Sequence, residues 1–328
     1  MLAPRPVRTF IVAVALTLPL GFGCNKQQQL TEVEVPEAGL TLRYDLTPGQ
    51  VYEGHVRMRT AAQTPVGEII TIMELDASIV VSGQGDDQGR QVEATVSGIE
   101  VELRVPDGIP PAMTGMDPEA AKALNGMQLR FDIDARGDVS NEPEPPEGMD
   151  PQTAGMIDLI TSAVTAGFSV RLPEETIEDG ASWDAGPKEL DDGVKSAKST
   201  GTFGGLGRNA AGDDIAKLGF ESTTESESSR GGMTVAINTK ASTEATFSAS
   251  GGHPVSVERT INNEIVGQAT VLVEIEATWT KAGKTEVPAG VAPTSAEPSE
   301  VQEVTDPCDP DYAGMGECLD DGEIDPAG

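Results

Sequence analysis

The 328-residue chain carries 54 Asp and Glu against 22 Lys and Arg, a formal net charge of −32 at pH 7. A field of that sign repels nucleic acid and anionic lipid headgroups, which argues against binding either through a basic patch and leaves a solvated acidic surface as the plain reading. Aromatic residues make up only 4% of the chain, against both an aromatic ligand clamp and an outer-membrane barrel with aromatic girdles.

The first element is MLAPRPVRTFIVAVALTLPLGFGCNK. Arg5 and Arg8 form a positive n-region, and the apolar run from Thr9 to about Gly23 is too short, and too broken by Pro19, for a hydrocarbon core that needs about 20 apolar residues. Residues 1–23 therefore read as an export signal. The boundary falls at a cysteine followed at once by Asn25, Lys26 and three glutamines. This resembles the lipobox of bacterial lipoproteins: Gly23 fits the position before the cysteine, while Gly21 stands where leucine is usual. The resemblance implies that Cys24 is lipidated and becomes the mature N-terminus, with residues 24–37 as a tether. A structural cysteine behind an ordinary signal is the competing reading. Asn25 is not the aspartate that retains such lipoproteins at the inner membrane, so the resemblance implies the outer membrane.

From Ala38 to Ala282 the pattern is mainly β. In QLRFDIDARGDVS, Leu129, Phe131, Ile133 and Ala135 alternate with polar residues, as a strand with one buried face requires. The same period runs through Met233, Val235, Ile237, Ala241, Ala245 and Phe247, and through Val271, Val273, Ile275, Ala277 and Trp279. In QVEATVSGIEVELRVP the inward phase switches at Gly98, which predicts a β-bulge. Strands of ten or more residues, also suggested by VYEGHVRMRT and EIITIMELDASIVV, favour a large curved antiparallel sheet or half-barrel over a small sandwich. TPGQVY and IEDGASW hint at two related halves.

The string GMDP occurs twice, ending at Pro118 and at Pro151. Asp117 and Asp150 suit N-caps and the prolines suit the first helical position, so accessory helices are expected near 117–126 and 150–166. Residues 283–305 have the composition of a disordered linker. Residues 306–328 form an acidic tail in which Cys308 and Cys318 are an even pair, expected to close a small disulfide loop. Zinc is the weaker alternative for them, since CxxC is absent and His55 and His253 are far away in sequence. Asp306, Asp309, Asp311, Asp320, Asp321, Glu323 and Asp325 could face calcium, but without EF-hand spacing.

The order LTLRYDLTPGQVYEG, IITIMELDASIVV, QLRFDIDARGDVS and VRLPEETIEDGASWD resembles an uncharacterised domain-of-unknown-function family of exported bacterial envelope proteins, with Pro173, Gly180, Ser182 and Trp183 in its final pattern. That family has no established activity, so the resemblance implies a fold and an address and no catalytic residue.

No GxSxG, HExxH or P-loop is present, and GTFGGLGRNAAGDD reads as a hairpin or loop. His55 is expected to face solvent and His253 to lie in a turn. No catalytic residue, metal or cofactor is expected. The sequence points to a non-enzymatic, lipid-anchored envelope protein that binds or scaffolds, its partner another envelope protein. A carrier of a lipid or other apolar ligand in the sheet concavity is the second reading, and a carboxylate-dependent hydrolase the third.

Overall fold

The computed structural model describes residues 30–64, 67–85, 89–106, 118–143, 145, 148–187, 190, 193–230, 233–266 and 269–285. Cys24, Cys308, Cys318, the export signal and the acidic tail lie outside them. The elements, in chain order, are β1 (Thr31–Val33), β2 (Gln50–Thr64), β3 (Gly67–Gly85), β4 (Gly89–Arg104), α1 (Pro118–Ala123), β5 (Gln128–Asp134), β6 (Val139–Ser140), α2 (Pro151–Phe168), β7 (Ser182–Asp184), β8 (Val194–Arg208), β9 (Asp214–Arg230), β10 (Met233–Ser248), β11 (His253–Ile265) and β12 (Ala269–Lys284).

The strands form one 12-stranded sheet in the order β1-β8-β9-β10-β11-β12-β2-β3-β4-β5-β6, with β7 paired to β8. All its pairings are antiparallel. The path is open, ending at β1 and β6, so this is a curved sheet and not a closed barrel. Two meanders, β2–β6 and β8–β12, are joined where β12 pairs with β2, and β1 and β7 both pair with β8. The hairpin read from GTFGGLGRNAAGDD is the β8–β9 turn. Among the described residues strand structure begins at Thr31, where β1 pairs with β8 inside the stretch read as a tether, and runs to Lys284.

Alternation produces the two faces. On β5, Leu129, Phe131 and Ile133 are buried and the residues between them are not. At Gly98 the phase switches as expected: φ is +62°, and Glu74 pairs with Glu100 while Asp76 pairs with Ser97. One extra residue on β4 is thus accommodated at a conformation glycine adopts without a Cβ penalty.

Helix α2 starts at a real cap, the Asp150 carboxylate accepting from the N–H groups of Gln152 and Thr153 with Pro151 next in line. Its buried residues include Met156, Ile160, Val164 and Phe168, spaced to form one stripe that packs on β11, β12 and β2.

The chain's two tryptophans share one arrangement. Trp279 lies directly across from Gly54 and Trp183 across from Gly201. Each ring fills the space where a Cβ on the glycine would sit, so the glycine gives the aromatic a flat bed on the neighbouring strand. Both indoles then donate to carbonyls at the C-terminal end of α2 and just after it, Trp279 Nε1 to Gly167 O at 2.8 Å and Trp183 Nε1 to Arg171 O at 3.3 Å. The Tyr44 hydroxyl donates to Phe168 O at 2.9 Å and accepts from Val170 N–H at 2.8 Å. Residues 167–171 are therefore held by side chains from three separate stretches of chain, two of them strands of the sheet.

Candidate functional site

Cross-strand register sorts the inner face, the one α2 covers, into rows. Leu218, Ala245, Val257, Ala277, Val56 and Leu75 form one continuous row across six strands, and all are buried. The next row outward is Phe220, Thr243, Arg259, Ile275, Met58 and Met73. Burial begins to fail here, at Phe220 and Arg259. In the following row, Ser222, Ala241, Ile261, Val273, Thr60 and Thr71 are all only half-buried. Cover over the inner face thus ends at the row containing Arg259.

A cavity of about 400 Å³ lies at that boundary, within the range of about 300–1,000 Å³ of small-molecule sites. Its floor is the inner face of β8–β11, with Ala197, Phe220, Ala241 and Ile261, and its roof is Ser169–Arg171 together with Ala185, Pro187 and Leu190. Leu190 is 49% exposed, one of two large apolar side chains so exposed among the described residues. The walls combine apolar surface with the hydroxyl residues Ser199, Ser222, Thr224, Thr239 and Thr243. Among the described residues that line it there is no Asp or Glu, although the chain contains 54.

Arg259 sits on this floor in phase with Val257 and Ile261. Its Nε donates to Thr243 Oγ1 at 3.1 Å and its Nη2 to Ser169 O at 3.3 Å. Both acceptors are neutral, and among the described residues Arg259 makes no ion pair. Burial pulls the guanidinium below its ordinary value, opposed by the Tyr44 phenol, yet arginine stays charged in proteins. Arg171 differs: Asp138 neutralises it, with Nε 2.7 Å from Oδ1 and Nη2 donating to Oδ2 at 3.1 Å. The carbonyls of Ala185 and Gly186 accept from its Nη1. Lys198, also at the cavity, is exposed on the outer phase of β8.

The two histidines lie apart from this cavity. His55 is exposed on the outer face, as its parity implies, with Nδ1 3.0 Å from Asp76 Oδ1. Ser97 and Thr278 occupy the same outer-face row. The side chains of the pair are 52% and 65% exposed, so water competes with its polarity and the pair is a surface contact. His253 corrects the expectation of a turn: it opens β11, is buried, and packs against the Tyr52 ring at 5.4 Å between centroids. Burial, the largest influence, holds it below its ordinary pKa. Its Nδ1 has no hydrogen-bond partner among the described residues. Among those residues no group of three His, Cys, Asp or Glu is placed to hold a metal, and no helix is long and apolar enough to cross a membrane.

Arg259 went unread in the sequence. The signal was available in HPVSVERTINNEI, where a cation falls in phase with Val257 and Ile261.

No protein-family model matches the chain, and no curated protein is significantly similar to it. Among solved structures, DynF from the dynemicin biosynthesis pathway of Micromonospora chersina is similar at a TM-score of 0.21 and 7% identity, over 79% of this chain and 97% of that one. An outer membrane channel from Pseudomonas putida F1 is similar at 0.19 and 8%, over 76% of this chain and 100% of that one. Likenesses this weak bear on neither fold nor function.

Proposed function

We propose that the chain is a non-enzymatic binding protein, held at the outer membrane of the cell envelope through lipid on Cys24, whose inner sheet face takes an apolar ligand. The single observation that carries the binding role is the end of cover at the Arg259 row. Beyond it, Ala241, Ile261, Val273, Val271, Ala62 and Ile69 face inward but are only partly buried. Each Å² of apolar surface left in contact with water costs roughly 25 cal/mol, and an apolar surface left partly uncovered beside a cavity is a natural place for a ligand. The export signal, the cysteine at its boundary and the resemblance to an envelope family support the address.

The test is titration of the full chain with phenylnaphthylamine, a neutral probe that brightens in apolar surroundings. Wild type is expected to bind it saturably at one site, and Ala241→Trp, which fills the floor of the cavity, to lose that binding while keeping its urea midpoint. Equal probe binding by the two proteins would contradict the proposal. Cys24→Ala is expected to release the protein from membranes, and retention with unchanged lipid labelling would remove the anchor.

A further inference from the structure

We infer that the cavity selects a single-chain amphiphile with an oxyanion head, a carboxylate or phosphate, and that Arg259 is the residue that receives the head. This deepens the apolar-ligand reading and rests on it. Three features point the same way.

The first is charge. In a chain of net charge −32 a cation readily meets a carboxylate, as Arg57, Arg59 and Arg130 do elsewhere on the sheet and Arg171 does beside the cavity. Among the described residues Arg259 instead holds only a hydroxyl and a carbonyl. A guanidinium has five N–H donors, so it retains capacity for a bidentate oxyanion, the partner it matches best in geometry.

The second is placement. Arg259 stands at the end of the covered core, and the next residues in phase along its strand and the adjoining one are Ile261 and Ala241. A head seated on the guanidinium would run its chain outward over Ala241 and Ile261 toward the exposed Leu190. The third is preorganisation. Thr243 and the Ser169 carbonyl hold the guanidinium, and Tyr44 and Trp279 hold the segment that carries Ser169, so little ordering is left for the ligand to bring about.

Trp183 gives a readout. Its ring packs edge-on against Phe220 on the cavity floor at 5.7 Å, and its N–H contacts the Arg171 carbonyl in the roof. The full chain is titrated with dodecanoate, dodecyl phosphate and dodecanol, following displacement of phenylnaphthylamine and, separately, the change in tryptophan emission, in which Trp183 is the ring beside the cavity. Dodecanoate or dodecyl phosphate, whichever matches the natural head, is expected to bind about tenfold or more tightly than the alcohol. Arg259→Gln is expected to abolish that preference and Arg259→Lys to keep part of it. If Arg259→Gln does not fold, the wild-type series and the lysine variant decide.

Equal binding of both anions and the alcohol by wild type would overturn the inference and leave the apolar site standing. Failure of all three to displace the probe would overturn both. A preference for the anions that survives in folded Arg259→Gln would remove Arg259 from the role.

Discussion

The indole N–H of Trp279 donates to the carbonyl of Gly167 at 2.8 Å, joining the centre of the sheet to the last turn of α2. That carbonyl belongs to a helix end, where no intrahelical donor is available. Trp279→Phe keeps the ring over Gly54 but strands the buried carbonyl, so a loss of about 1–3 kcal/mol is expected. Urea unfolding followed by circular dichroism measures it, and an unchanged midpoint would mean that water replaces the indole.

At Gly167 the helix backbone lies close against the sheet. A Cβ there would lie 2.9 Å from Ala277 Cβ, tighter than methyl groups tolerate. Gly167→Ala gains helix propensity worth about 1 kcal/mol, but overpacking costs about 1–3, so net destabilisation is expected. Adding Ala277→Gly opens the space and should recover part of the loss. A double-mutant cycle showing strict additivity would contradict this contact.

Below its ordinary value of 6.5, His253 takes up protons more readily unfolded than folded. Its neutral form therefore contributes stability that is complete above about pH 6.5 and is lost as the pH falls through the lower folded value. Urea midpoints measured from pH 7.5 down to 5 should decline in wild type and decline less in His253→Gln. Parallel declines would show that other groups govern this limb.

Asp138 and Arg171 form an ion pair beside the cavity, with side chains 31% and 17% exposed. Asp138→Asn leaves the guanidinium without its counter-charge. A loss of about 1–3 kcal/mol is expected, below the figure for a fully buried pair because water reaches both groups. A loss under about 0.5 kcal/mol, the range of ordinary surface contacts, would show that the Ala185 and Gly186 carbonyls suffice.

Much of the sheet was legible because its core strands alternate strictly. Leu129, Phe131 and Ile133 on β5, and Val273, Ile275 and Ala277 on β12, announce their inner face in the sequence, and Gly98 announces the bulge between two phases. Asp150-Pro151 announces α2 because a cap and a first-turn proline are local chemistry.

Strands β8, β9 and β11 were not legible, since their inner faces carry Ser, Thr, Gly, Asn and Arg beside few large apolar residues. Small and polar inward positions are what lining a cavity requires, and they erase the contrast on which periodicity depends. The site was hidden for a related reason: Phe220, Thr243 and Arg259 are neighbours only across strand pairings, which no local pattern encodes.

Native mass spectrometry of the full chain, isolated from its own cells beside Ala241→Trp produced in the same way, tests most directly whether the inner face holds a ligand. Wild type should carry one non-covalent adduct that is lost on denaturation and recovered as a single-chain acid or phosphate, with the filled variant lacking it. A wild-type native mass equal to its denatured mass, or the same adduct on both proteins, would contradict the binding role.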